Sequence, residues 1–321
     1  MIIPKTNIEI LKTFTIDSLP DLDTVVLGAL ELLTGMDLPK IDVSNFKHPL
    51  VVGSGNAEAT SRIIFDTIDA IFASESTVDE KLRSIADIDE VIIVSASGGK
   101  HAPIIAKKAH QAGKHVTLIT NTPASPTAQE LSEHDLTIHV FPKNREPYTY
   151  NTSTYMAMIL GYTREDPAAI QRFIEAEVDG LAMPDFSKFT KYYLIVPPEF
   201  AGIIRMLQVK FIELFGRNLA RDVETSEYVR HATTVAPSDE LFISFGEQNV
   251  IWGKPENRLN IPLPENAGYA AMMAVGYYAI AQIQKAQPQF FKQNINEYCQ
   301  FISKIFGENI GPIVGGSSKA Q

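Results

Sequence analysis

Residues 91–100, VIIVSASGGK, constrain this chain more than any other stretch. Four apolar, mostly β-branched residues come first, and the polarity then changes at once to Ser95-Ala96-Ser97-Gly98-Gly99-Lys100. A continuous apolar run of this length suits a strand buried on both faces. Pro103 marks the start of a helix just beyond. A strand that hands a Ser/Gly loop to a helix N-terminus favours an anion, because the glycines let backbone approach a ligand and helix-start N–H groups point outward. Ser95 and Ser97 add hydroxyls, and Lys100 adds a full positive charge.

The same grammar recurs along the chain. Residues 50–52 read as a strand, 53–56 (GSGN) as a turn and 57–72 as a helix with Ile63, Ile64, Ile68 and Ile71 facing inward. Position 58 is Glu, so the full G-x-G-x-x-G of a dinucleotide site is absent. Strands follow at 116–120 and 136–140, and a helix at 151–162. Strands separated mostly by helices predict an α/β fold, a parallel sheet with helices on both faces. The pattern restarts after an acidic connection over 163–190: strand 192–196, a Pro197-Pro198 turn, helix 199–215, strands 241–245 and 258–263, and an apolar helix over 268–284. The expected layout is a helical segment 1–46, a first subdomain 47–162, the connection 163–190, a second subdomain 191–310 and a Gly/Ser-rich flexible tail 311–321 that includes Lys319.

Composition excludes several functions. The net charge of −10, with no basic run, argues against nucleic acid. No apolar stretch reaches the ~20 residues that span a bilayer, and the N-terminus does not read as a signal peptide. The single cysteine, Cys299, forms no internal disulfide and suits a reducing cytoplasm. The seven histidines show no metal-ligand spacing, and no metal is expected.

A strand ending in S-x-S-G, after one ending in G-x-G and before one ending in N-x-x-x-S-P, resembles the sugar isomerase (SIS) domain family. Here the pieces are Gly53 to Gly55, Ser95 to Gly98, and Asn121 with Ser125-Pro126. The paired halves resemble double-SIS enzymes: phosphoglucose/phosphomannose isomerases, the isomerase part of glucosamine-6-phosphate synthase and fructosamine-6-phosphate deglycases. The resemblance implies two flavodoxin-like subdomains in a homodimer. It implies that Ser95, Ser97, Gly98 and Gly99, with Lys100, Gly55 and Asn56, hold a sugar phosphate, and that Ser54, Asn121, Ser153 and Thr154 line the sugar. Two positions depart from the family pattern: Lys100 replaces the usual Thr, and Ala57 stands where a Ser is common.

The resemblance implies that the second half carries the chemistry, with Glu213, in the run FIELF, as the base and His231, eighteen residues on, as the proton shuttle. Glu224 and Glu227 are alternative bases. Burial among Phe211, Ile212, Leu214 and Phe215 raises a carboxylate's pKa toward neutrality, as a carbon acid requires. The competing reading pairs Glu213 with Arg217 four residues on. The expected activity is a cofactor-free aldose–ketose isomerisation through an enediol. The alternatives are a deglycase or deaminase acting on an amine-bearing sugar phosphate, and a non-catalytic sugar-phosphate sensor. A second argument for a homodimer is the helix over 270–283, whose apolar surface is expected to exceed what one chain covers.

Overall fold

The computed structural model describes residues 5–316. Lys319 and the rest of the last five residues lie outside them. The described chain divides into two compact units. One holds residues up to Thr34, Asn144–Ser153 and Glu165–Gly316, and the other holds Gly35–Lys143 and Thr154–Arg164.

The second of these is built on a five-stranded parallel sheet. Its strands are β1 (Leu50–Val52), β2 (Ile71–Ala73), β3 (Glu90–Val94), β4 (His115–Thr120) and β5 (Leu136–Val140), in the order β2-β1-β3-β4-β5. This is the flavodoxin-like order, with its switch point between β1 and β3. The helices are α3 (Asn56–Phe65), α4 (Val78–Ser84), α5 (Ala102–Gln111) and α6 (Pro126–Glu130). Val91, Ile93, Val116 and Leu118 pack on Ala102, Ile105, Ala106 and Ala109 of α5. Each large aliphatic side chain buried there contributes about 1.5–3 kcal/mol.

The other unit holds a four-stranded parallel sheet of β7 (Lys191–Val196), β8 (Ala220–Thr225), β9 (Leu241–Phe245) and β10 (Arg258–Ile261), ordered β10-β9-β7-β8. The first strand is again internal, with the chain running to one side and then to the other. Around it lie α1 (Asn7–Thr13), α2 (Leu22–Leu33), α8 (Pro167–Phe173), α9 (Ile204–Phe215), α10 (Ser226–Ala232), α11 (Tyr269–Ala286) and α12 (Phe290–Phe306). Helix α7 (Thr152–Thr163) begins in this unit and continues in the other. The α/β class with two parallel sheets is as the sequence predicts.

Four readings need correction. The helix expected over 57–72 ends at Phe65, and Ile71 starts β2 instead of facing a core from a helix. A strand of three residues is too short to show alternation, so its Ile extended the helical pattern by coincidence. Strand β8 was not expected: its sequence, ARDVET, is polar because it is an edge strand, mostly uncovered. Part of the expected flexible tail is a strand, β11 (Ile313–Val314), pairing antiparallel with β6 (Glu146–Pro147). Finally, α11 is apolar because its own unit covers it. Fourteen of its eighteen residues are buried, and it packs on α2 and α9. Its composition gives no ground for a subunit contact.

Candidate functional site

In the five-stranded unit, the loops after β1, β3 and β4 all leave the C-terminal edge of the sheet. In open α/β sheets, ligands bind in the crevice at this edge, at the switch point. The Ser95 N–H donates to the Ile119 carbonyl (3.0 Å), continuing the β3–β4 ladder one residue into the loop. The Gly98 N–H donates to Ser95 Oγ (3.1 Å) and the Gly99 N–H to Ser97 Oγ (3.3 Å). Each hydroxyl thus accepts a bond from the loop, and its own proton remains a donor. Ser97 is exposed and Ser95 half-buried.

The loop after β4 clamps this one. Thr120 Oγ1 and the Asn121 N–H both donate to the Ala96 carbonyl (3.0 Å each). Thr127 Oγ1 donates to the Gly98 carbonyl (2.6 Å). Ser125 caps α6 by accepting from the Ala128 N–H, and it lies against Gly98. A Cβ on Gly98 would fall 2.5 Å from Ser125 Oγ, and φ there is +57°. Gly98→Ala is therefore expected to cost about 1–3 kcal/mol through strain and overpacking, read as a lowered midpoint in urea unfolding, and to weaken any ligand held by the loop. Lys100 follows in the same left-handed region, at φ +54°.

The helix start offers fewer donors than the sequence suggests. The Ala102 N–H is bonded to the Gly99 carbonyl, and Pro103 has none. The donors that the loop itself offers are therefore the hydroxyls and the Lys100 ammonium. At the rim, His101 Nε2 lies 3.4 Å from Glu75 Oε2. On the β1 side, Ser54 is exposed, Gly55 caps α3 at φ +59°, and Asn56 is 8% exposed. Asn56 Oδ1 and, one turn on, Thr60 Oγ1 are buried with no hydrogen-bond partner. Buried polar atoms are nearly always paired, so this face of α3 has unmet bonding capacity. Asn121 and Thr154 are buried and bonded to each other (2.7 Å).

The other unit holds the remaining candidates. Ser153 is buried and its Oγ accepts from the Asn144 N–H. Its N–H and that of Thr152 donate to the buried Glu146 carboxylate, which caps α7. Burial raises the Glu146 pKa against these bonds and the attraction of Lys210. Glu213, in the last turn of α9, does not pair with Arg217. It accepts from Lys210 Nζ at 2.7 Å, three residues back. Lys210 is fully buried and also donates to the Tyr150 (2.8 Å) and Thr149 (3.2 Å) carbonyls. Its ammonium lies 5.2 and 5.3 Å from the ring centroids of Tyr150 and Tyr277. Burial raises the Glu213 pKa, and Lys210 pulls it back. Lys210 bonds Oε2, and the carboxylate opens on a cavity of about 450 Å³ lined by Phe215, Phe290, Phe291, Asn294, Ile295 and Tyr298 among others.

Glu224, Glu227 and His231 do not join Glu213. Helix α9 runs back from the C-terminal ends of the strands, so Glu213 stands at their N-terminal end. Glu224 is next to last on β8, at the opposite end, and Glu227 and His231 are exposed on α10 beyond it. Burial and the neighbouring Asp222 raise the Glu224 pKa. Lys210 is the residue that sequence reasoning missed. The available signal was a lone Lys on a helix face otherwise made of Met206, Leu207, Phe211 and Leu214, three residues before a Glu.

No protein-family model matches the sequence, and no curated protein sequence matches it. Solved structures do. The C-terminal domain of glucosamine-fructose-6-phosphate aminotransferase from Francisella tularensis matches with a TM-score of 0.61 at 11% identity, over 84% of this chain and 97% of that one. Tagatose-6-phosphate ketose/aldose isomerase from Escherichia coli matches at 0.56 and 13%, over 88% and 90%. Glucosamine-6-phosphate deaminase from Thermotoga maritima matches at 0.53 and 13%, over 88% and 94%. With the strand order of both sheets, these likenesses establish that the chain has the double sugar isomerase (SIS) domain fold.

Proposed function

We propose that the protein binds a sugar phosphate and interconverts its aldose and ketose forms through an enediol, without a cofactor. The observation that carries the reading is the clamped 95–98 loop at the switch point of the five-stranded sheet. A phosphate dianion takes hydroxyl donors and an ammonium, which Ser95, Ser97 and Lys100 supply. Gly98 keeps the backbone low beneath it, and Ser54, Gly55 and Asn56 supply polar groups from the β1 side. All three structural relatives above are named for a sugar 6-phosphate. Anchoring the phosphate orients the reacting carbons through binding energy remote from them.

Glu213 is the proposed base. It takes the proton from the carbon beside the carbonyl and returns it to the neighbouring carbon. Its raised pKa makes it a stronger base than an exposed carboxylate, and Lys210 favours the ionised form that the step needs. Glu224, Glu227 and His231 receive no step at the same proton, because they stand at the other end of their sheet. A second reading keeps Glu213 as the base on a sugar phosphate that bears an amine, where the same proton shift leads to hydrolytic release of the amine; one structural relative is named as a glucosamine-6-phosphate deaminase.

The test is a thermal-shift screen against hexose, pentose and amino-sugar phosphates and the matching bare sugars. A ligand at ~100 times its dissociation constant stabilises by about 2.7 kcal/mol. A shift with one phosphate class, absent with its bare sugar, is expected, and Ser97→Ala should weaken that ligand about tenfold. No shift with any phosphate would remove the reading. Product analysis by nuclear magnetic resonance then separates isomerisation from amine release.

A further inference from the structure

The second sheet has a switch point of its own. Strand β7 lies between β8 and β9, so the chain leaves β7 toward one side and then crosses back to reach β9 on the other. Ligands of open α/β sheets sit at the carboxyl ends of the two strands where the order reverses. Ile195 and Ser244 are paired in register, each next to the last residue of β7 and β9. Both line a cavity of about 80 Å³, together with Ser226 and Arg230 of α10 and residues 247–252 of the loop after β9. By strand order this loop is the counterpart of the 95–98 loop in the first sheet.

The loop is held in place by its own chain. The Arg258 guanidinium donates to the carbonyls of Val250 (2.7 Å), Ile251 (2.9 Å), Trp252 (2.9 Å) and Gly253 (2.5 Å). Asn249 Oδ1 accepts from the N–H groups of Ile251 (3.2 Å) and Trp252 (2.8 Å). Asn260 Oδ1 accepts from Ser244 Oγ (2.5 Å) and from the Asn249 N–H (3.0 Å). A wall already ordered lowers the cost of binding. It also has its acceptors occupied, since four successive carbonyls are bonded to one cation. Neither Arg230 nor Arg258 is ion-paired with a described residue, and the Ser226 hydroxyl has no hydrogen-bond partner among them. One guanidinium therefore lines the cavity, and a second backs its wall.

Size and one opposing charge narrow the ligand. About 10–15 Å³ of cavity suffices for one water, so this one admits several non-hydrogen atoms but not a whole sugar ring. Glu247 also lines it and is exposed. A phosphate dianion would meet that carboxylate with two charges. A carboxylate brings one, matches a guanidinium fork, and can carry a donor for Glu247 on the next carbon. We infer that the switch point of the second sheet is a second ligand site, for a small carboxylate with a hydroxyl or ammonium group on the adjoining carbon. Arg230 and Ser226 hold its carboxylate, and Glu247 accepts from its other polar group. The site lies wholly on the second sheet and stands whether or not the 95–98 loop holds a sugar phosphate.

Trp252 lines the cavity and is the only tryptophan in the chain, so its fluorescence and its indole N–H resonance report on this site. Glycine, glycolate, acetate and inorganic phosphate are titrated into the full chain at constant ionic strength. Saturable shifts with glycine or glycolate are expected, with acetate about tenfold weaker. Arg230→Gln should weaken the ligand at least about tenfold. Glu247→Gln should remove the advantage over acetate, and Ser97→Ala, in the first sheet, should leave both signals unchanged. Arg230 and Glu247 are exposed, and unchanged thermal melts by circular dichroism establish that the variants are folded. The inference is overturned by the absence of a saturable shift with glycine or glycolate, or by acetate or phosphate binding as tightly as they do. It is equally overturned by a shift that Arg230→Gln leaves intact or that Ser97→Ala abolishes.

Discussion

Lys210→Met is expected to lower the free energy of unfolding by about 3–5 kcal/mol, because removing one partner of a buried ion pair leaves the other charge uncompensated. Glu213 would keep its charge beside a hydrophobic cavity, and the Tyr150 and Thr149 carbonyls would lose their ammonium donor. Chemical unfolding measures the effect. The pair need not be a net source of stability, and Lys210→Met/Glu213→Leu should recover much of the loss by replacing both charges with apolar groups of similar size. The sign of the pH dependence follows from Glu213. Its folded pKa is raised above the ordinary 4.5, so the folded state binds the proton more tightly than the unfolded chain does. Stability from this group is complete below that ordinary value and is lost as pH rises through the folded pKa. Without Lys210 the folded pKa rises further, so the deficit of the Met variant should be small in acid and grow toward neutral pH. A deficit independent of pH would mean that Lys210 acts by packing alone.

Glu213→Gln is expected to reduce turnover at least about a hundredfold while leaving the phosphate ligand bound, because the amide keeps the shape and an acceptor for Lys210 but cannot take a proton. Steady-state kinetics beside a thermal-shift titration separates the two. For the wild type, kcat/KM should fall as pH drops through the raised pKa of Glu213, since the base must be ionised in the free enzyme. That limb should therefore lie above the range of an exposed carboxylate and be absent from the residual activity of the Gln variant. A protein that binds sugar phosphate without turning it over would show neither effect, which is the behaviour of a sensor. Full activity in Glu213→Gln, with loss in Glu224→Gln, would move the chemistry to the other end of the second sheet.

The local grammar of the chain was legible without coordinates. VIIVSASGGK runs from a buried strand through a Ser/Gly loop to a helix start, as four apolar β-formers followed by Ser, Gly and Pro103 predict. Its repetition with Pro197-Pro198 in the second half gave two α/β units. Tertiary structure decided everything that depends on which residues cover which. The sequence placed Glu213 among apolar neighbours and offered Arg217 as its mate, but a helix turns Lys210 to the same buried side, and a chain segment from 149–150 supplies its carbonyls. The resemblance paired Glu213 with His231, with Glu224 and Glu227 as alternative bases, and a parallel crossover sets Glu213 apart from the other three because helix and strand run in opposite directions. The most apolar helix, α11, looked like a surface in need of a partner and proved to be the core. The partly polar α12 leaves Tyr298, Phe301 and Ile305 exposed. Composition records how apolar a helix is, whereas only packing decides which of its faces is left for water or for a second chain.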